Sequence, residues 1–339
     1  MDNTTLNSKE RFHNALSGKP VDRTPVFPLL MFLAARHAGI SYREFATSGR
    51  SLAEAQLLMR TKFPLDAITA CSDAFCLAAD LGGDVAYPEE GTPHLVHPLI
   101  SDETSFRHLM KPDPLKGRMG DRVDGVRIMA ESAGSECAVL GWVEMPYAEA
   151  SALTGVADFM LLAIENPGLA HEILRWIADI EIDFAMAQID AGADMIGAGD
   201  AAASLISPSM YREFALPYEQ MVVNAIHEVG VPVKLHICGN TRNHLPYIAQ
   251  SGADLYNVDH MVPFLEARDT YSKVGACFKG NMNPVVDFLE STTEQCEHQA
   301  HELIRLAEGS RYMLSAGCEI PKDTPDEVFA AFCSAPQTF

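Results

Sequence analysis

Eight short apolar runs, separated by stretches of helical period, predict an α/β fold and, within that class, a (β/α)8 TIM barrel. Helix-start signals between the runs support this class. Asn166 and Ser207 each precede a proline suited to a first helical position, and Thr324 with Glu327 spells a capping box for a last helix. At 339 residues the chain has the size of one such barrel. No Ser/Gly-rich or low-complexity stretch marks a linker, so residues 1–339 read as a single domain. A doubly wound open sheet is the competing topology.

The first helical pattern, residues 7–17, is an N-terminal extension, and TPVFPLL over 24–30 reads as the first strand. Further strands are expected at 66–70, 137–143, 193–198, 231–237, 254–258, 274–279 and 311–316. Helical patterns at 50–62, 154–165, 167–191, 208–229, 241–251, 261–271 and 292–308 lie between them. Residues 71–135 fit the repeat worst. Their AADLGGD and PEEGTPH turns predict an elaborated loop region over the barrel mouth.

A hydrophobic content of 47% with 21% charged residues describes a chain with a full core. The formal charge of −21 opposes nucleic-acid binding, which needs a concentrated basic surface. No apolar run approaches the roughly 18 residues that span a bilayer. The polar start MDNTTLNSKERFHNAL lacks a signal-peptide core, so a cytoplasmic location without membrane contact is expected. Eight cysteines in such a chain are expected to be reduced thiols. Six of them, Cys71, Cys76, Cys137, Cys277, Cys296 and Cys333, sit in apolar or amphipathic contexts and read as packing residues.

In a barrel, chemistry sits where strands end, so the polar residues just past each strand are the candidates. They are Glu144 in GWVEMP, Asp200 in GAGDAAAS, His236 and Cys238 in KLHICGNT, Asp259 with His260, Asn281 in KGNMNP, and Cys318 in YMLSAGC. His236 and Cys238 stand two apart on a strand and therefore share a face. Imidazole plus two thiolates is a donor set that zinc prefers, and three protein ligands leave a fourth position for substrate. The spacing alone is also compatible with a buried histidine and two packing cysteines.

KERFHNALSGKPVDRTPV, SPSMYREFALPYEQ, KLHICGNT, KGNMNPV and SAGCEIPKDTP follow in an order that resembles the uroporphyrinogen decarboxylase superfamily. More narrowly they resemble its zinc-containing branch, the corrinoid-dependent methyltransferases that include methylcobamide:coenzyme M methyltransferases. The resemblance spans nearly the whole chain and implies zinc at His236, Cys238 and Cys318. It also implies a methyl group moved between a methylcobamide, carried by a separate corrinoid protein, and a small molecule. No D-x-H-x-x-G motif for a cobalt ligand is present in this chain. The acceptor is expected to be a thiol such as coenzyme M, or tetrahydrofolate, and the thiolate-rich ligands favour transfer from cobalt to acceptor. Transfer from a methylated donor to cobalt stays open. The decarboxylase itself carries an arginine-rich M-R-Q-A-G-R motif where this chain reads MFLAARHAGI, leaving Arg36 alone. That departure disfavours a substrate with many carboxylates.

The same resemblance frames the other strand-end groups. Glu144 is expected as a fourth zinc ligand or substrate contact, with a structural hydrogen bond as the alternative. Asp200 is expected to orient His236 or to cap a helix. Asn281 is expected to meet substrate or to satisfy loop backbone. His260 stands where related methyltransferases carry an acidic residue, which alters the expected substrate contacts.

Overall fold

Seven of the eight expected runs form one parallel sheet in the computed structural model, which describes residues 5–88 and 91–339. In chain order the strands are β1 (Ala67–Thr69), the short antiparallel pair β2 (Val85–Ala86) and β3 (His94–Leu95), then β4 (Ala138–Glu144) and β5 (Met195–Gly199). They are followed by β6 (Val233–His236), β7 (Leu255–Val258), β8 (Cys277–Met282) and β9 (Tyr312–Ala316). The large sheet runs β1-β4-β5-β6-β7-β8-β9, every pairing parallel and every neighbour the next strand of that sheet in sequence, with the β2–β3 pair inserted between β1 and β4. Helices cover its outer face, so these strands are buried on both sides and read as continuous apolar runs.

The run at 24–30 is not a strand. It makes isolated bridges, Val26 with Leu314 and Leu29 with Glu319, and its Phe27 N–H donates to the Leu314 carbonyl at 3.0 Å. On its other side the Val26 carbonyl accepts from Asp66 N–H at 2.9 Å. Pro25 and Pro28 lack the N–H groups that a regular ladder needs, which leaves an extended but irregular segment between β9 and the start of β1.

Three other expectations are corrected. The helix at 208–229 is divided: Pro208–Met210, a wide turn at Tyr211–Ala215, then Leu216–Glu228, because Pro217 cannot donate to the preceding turn. The helix at 154–165 breaks at Gly155, whose φ of +95° separates Pro146–Thr154 from Val156–Glu165. The capping box at Thr324 does not form, since the last helix, Asp326–Thr338, starts behind Pro325, and Thr324 is buried with its hydroxyl unpartnered. Asn166 and Ser207 do cap, accepting from Leu169 and Met210 N–H.

Residues 71–135 hold helices Cys76–Asp80, Glu103–His108 and Gly117–Ala133 besides the β2–β3 pair. In the PEEGTPH turn, Glu89 and Glu90 lie outside the described residues. Among the described residues no single helix is long and apolar enough to cross a membrane. The apolar pair Pro146–Thr154 and Val156–Glu165 is bent by 106°.

The sheet curls so that Ala67, Leu140, Met195, Leu255, Cys277 and Met313 meet in one cluster. The N-terminal helix, Ser8–Ser17, adds Phe12 to that cluster and covers it at the N-terminal ends of the strands. Alternation then sets the next layers on the same face: Trp142 and Glu144 on β4, Lys234 and His236 on β6, Lys279 and Asn281 on β8. β5 makes room for them. A Cβ at Gly197 would lie 2.5 Å from the Trp142 ring, and one at Gly199 would lie 2.5 Å from a Glu144 carboxylate oxygen.

Candidate metal centre

β6 ends at His236, and the alternation of its side chains carries Cys238 to the same face just past the strand end. His236 Nε2 lies 2.9 Å from Cys238 Sγ, and Cys318 Sγ, arriving from the end of β9, lies 3.4 Å from Cys238 Sγ and 3.6 Å from His236 Nε2. Tetrahedral zinc places sulfurs about 3.8 Å apart and sulfur about 3.5 Å from nitrogen. The three donor atoms therefore need shifts of only a few tenths of an ångström to share one ion.

Both cysteine loops are pinned from β7. Gly239 N–H, next to Cys238 and at a φ of +90°, donates to Asp259 Oδ2 at 2.8 Å. Asp259 also accepts from Met261 N–H at 2.9 Å and lies 3.0 Å from His260 Nδ1. Asn257 Nδ2 donates to the Gly317 carbonyl, next to Cys318, at 3.2 Å. Gly317 has no substitute there, because a Cβ would lie 2.4 Å from His260 N.

The two thiols share a proton unequally when no metal is bound. A hydrogen bond from Cys238, aided by His236, holds Cys318 well below the ordinary thiol range; that bond and burial push Cys238 up. Beneath them Lys234 is fully buried, its Nζ without a hydrogen-bond partner and 4.3 Å from the centroid of the Trp142 ring. Burial pushes this amine down to about 8. Lys279 Nζ donates to the Phe27 carbonyl at 2.7 Å and sits over the Phe27 ring.

Glu144 accepts from Trp142 Nε1 at 2.7 Å, and burial pushes its carboxyl up to about 8. Glu319, next to Cys318, accepts from Phe32 N–H at 2.5 Å, and burial likewise pushes it up to about 8. Asp200 is fully buried beside Glu219; burial, the neighbouring carboxylate charge and the proton the two carboxyls share push it up, and Glu219 also accepts from Tyr211 at 2.5 Å. Its link to His236 is a main-chain bond, Asp200 N–H to the His236 carbonyl at 2.9 Å, and His236 Nδ1 is itself unpartnered. Asn281 Nδ2 donates to the carbonyls of Val262 at 2.6 Å and Asp259 at 3.3 Å.

A cavity of about 590 Å³ opens over the triad, and Glu144 and Glu319 line it together with His236, Cys238 and Cys318. Leu29, Met31, Phe32, Phe75 and Trp142 make much of the remaining wall apolar. Glu319, Lys234, Asn257 and the pinning role of Asp259 were not evident from strand-end reading alone. Glu319 has a signal, since it follows a strand-end cysteine, and Lys234 stands on the face of His236 in an otherwise apolar strand.

The family model for uroporphyrinogen decarboxylase (URO-D) matches residues 7–339. The methylcobamide:CoM methyltransferase MtbA of Methanosarcina acetivorans is 27% identical over 328 residues, covering 95% of this chain and 95% of its own. Its counterpart in Methanosarcina mazei is 28% identical over the same length. The uroporphyrinogen decarboxylase of Parasynechococcus marenigrum is 28% identical over 337 residues, covering 94% of this chain and 93% of its own. Among solved structures, a methyltransferase from Methanosarcina mazei superposes with a TM-score of 0.89 at 24% identity, covering 98% of this chain and 99% of that one. A B12-independent methionine synthase from Shewanella superposes with a TM-score of 0.59 at 12% identity, covering 87% of each. With the family match running from the first helix to the last residue, the chain belongs to the uroporphyrinogen decarboxylase family and is an enzyme.

Proposed function

We propose that this enzyme is a zinc-dependent methyltransferase that moves a methyl group between a methylcobamide on a corrinoid protein and a small-molecule acceptor, a thiol in the first instance. The observation that carries the reading is the convergence of one imidazole and two thiols within 4.8 Å, facing a largely apolar cavity at the C-terminal ends of the strands. Ligands in α/β folds bind at that end. We read residues 25–29 as the eighth stave that closes the sheet into a barrel around the site.

His236, Cys238 and Cys318 would hold the ion. Zinc bound there supplies a Lewis acid that keeps a substrate sulfur deprotonated at neutral pH, where a free thiol of pKa about 8.5 is mostly protonated. The chain's own residues do the rest. Asp259 and Asn257 fix the two cysteine loops. The apolar wall excludes water from the reacting sulfur. Glu144 and Glu319 supply polar atoms at the wall, where Glu144 contacts substrate or reaches the open ligand position. Asp200 supports the β6 terminus through its main chain, and Asn281 holds the loop after β7.

Docking of a corrinoid protein is supported by exposed apolar side chains in the loops after β5, β7 and β8: Leu205, Met261 and Val286 are 63%, 53% and 57% exposed. The methylcobamide:CoM methyltransferase relatives support the corrinoid and the thiol. Substrate-side transfer, from a methylated molecule to cobalt, would use the same residues. Decarboxylation of a carboxylate-rich tetrapyrrole is supported less, because the described charged residues of the wall are Asp73, Glu144 and Glu319.

Elemental analysis of wild type beside Cys318→Ser, followed by methylcobalamin demethylation with a panel of thiols, tests the proposal. About one zinc per chain, lost in the variant, with thiol-dependent loss of the methyl–cobalt spectrum is expected. Zinc without thiol turnover would point to the substrate-side reaction. Absence of zinc from the wild type would overturn the proposal.

A further inference from the structure

We infer that the cavity over the triad admits uncharged or cationic molecules and turns away small anions, so that the accepting thiol carries no sulfonate or carboxylate. This rests on the methyltransferase reading for the word thiol; the charge selection itself rests on the wall.

Among the described residues, the charged side chains that line the cavity are all acidic. They are Asp73, Glu144 and Glu319, and among the described residues no lysine or arginine lines it. Neither protonation state of the two glutamates gives an anion a counter-charge. Ionised, they repel it; protonated, each offers one hydrogen-bond donor and no charge.

The two arginines behind the wall are committed elsewhere. Arg118 pairs with Asp73 at 2.8 Å and donates to the Ala46 carbonyl at 2.6 Å. Arg122 donates to the Ala70 carbonyl at 2.7 Å, the Ala46 carbonyl at 3.0 Å and Ser72 Oγ at 2.6 Å. Lys234 is sealed beneath the Trp142 ring. The main-chain amide of Phe32, which faces this region, is already taken by Glu319. A sulfonate or carboxylate entering here would lose its water without gaining a counter-charge, the least favourable way to bury an ion. An ammonium group would instead meet carboxyls and the Phe32, Tyr42 and Trp142 rings, whose faces attract cations.

Three thiols of one length separate these outcomes: 2-mercaptoethanol, cysteamine and 2-mercaptoethanesulfonate. Their binding is read on the cobalt(II)-substituted protein through thiolate-to-cobalt absorption, which needs no methyl transfer. The uncharged and cationic thiols are expected to bind at least about tenfold more tightly than the sulfonate. Equal or tighter binding of the sulfonate would overturn the inference.

A second readout does not depend on the metal. Trp142 lines the cavity and is one of two tryptophans, so in a Trp176→Phe background its emission reports access. Neutral acrylamide is expected to quench it several times better than iodide. Adding Leu205→Lys, a charge at an exposed rim position, is expected to raise iodide quenching severalfold and leave acrylamide unchanged. Iodide quenching that matches acrylamide, or that ignores the added lysine, would overturn the selection. Failure to take up metal, with the quenching pattern intact, would sink the methyltransferase reading and leave the charge selection standing.

Discussion

The two ends of the strands treat buried charge in opposite ways. At the N-terminal end, Asp66 is fully buried and fully engaged: Arg11 Nη1 donates to it at 2.7 Å, Arg23 Nη1 at 2.8 Å and Val26 N–H at 2.7 Å. At the C-terminal end, Lys234 Nζ and His236 Nδ1 are buried without a hydrogen-bond partner. A satisfied buried network ties elements together, here the first helix, the 25–29 segment and the approach to β1. Unsatisfied buried groups cost stability and persist where they serve something else. The contrast separates an end built for stability from an end built for chemistry.

The largest effects should fall on opposite observables. Asp66→Ala leaves Arg11 and Arg23 without their shared partner and is expected to cost about 3–5 kcal/mol in denaturant unfolding, with zinc content unchanged. His236→Ala is expected to do the reverse, abolishing zinc binding and methyl transfer while the metal-free protein keeps its unfolding free energy within about 1 kcal/mol. If Asp66→Ala empties the metal site while still folded, the two ends are coupled and the division fails.

The next effect tests the pinning of the cysteine loops. Asp259→Asn keeps size but exchanges an acceptor oxygen for a donor that faces Gly239 N–H, so the Cys238 loop loses its anchor. Zinc affinity, measured by chelator competition, is expected to fall about 10- to 100-fold with little change in unfolding. An unchanged affinity would mean that Cys238 is held by its own backbone alone.

This division explains how much was legible beforehand. Strand alternation places Lys234, His236 and Cys238 on one face whatever surrounds them, so the triad follows from local geometry plus a late strand-end cysteine. The seven regular strands were legible for the same reason. The run at 24–30 was misread as a regular strand because its apolar pattern matches one, while Pro25 and Pro28 decide how it pairs. The continuous helix expected at 208–229 failed on Pro217 in the same way. The anchors of the site, Asn257 on Gly317 and Asp259 on Gly239, are contacts across 60 and 20 residues. No local pattern encodes them. The same holds for the raised carboxyls, whose shifts come from burial among elements distant in sequence.

A smaller effect concerns pH. Burial holds the Glu144 carboxyl at about 8 in the folded protein against its ordinary 4.5, so the folded state holds the proton more tightly. This contribution to stability is fully present below the unfolded value and is lost as pH rises through about 8. Wild type should therefore lose stability between about pH 4.5 and 8 more steeply than Glu144→Gln, measured on metal-free protein. Parallel profiles would mean that the carboxyl is better hydrated than its apolar surroundings imply.

The smallest effect belongs to Asn281, and it separates two roles at one residue. Its amide donates to the Val262 and Asp259 carbonyls, both in the loop after β7, so its hydrogen bonds run towards the protein. Asn281→Ala removes a clamp from the loop that carries Asp259, and its expected cost is about 1 kcal/mol of stability with a less than tenfold loss in kcat/KM. The loop keeps its other ties, because Asp259 still accepts from Gly239 and Met261 N–H. A loss in kcat well beyond tenfold, with stability and zinc content intact, would instead place the amide on the substrate. The C-terminal end would then recruit even its hydrogen-bonded residues for chemistry, and the contrast with the N-terminal end would be sharper than the hydrogen bonds alone imply.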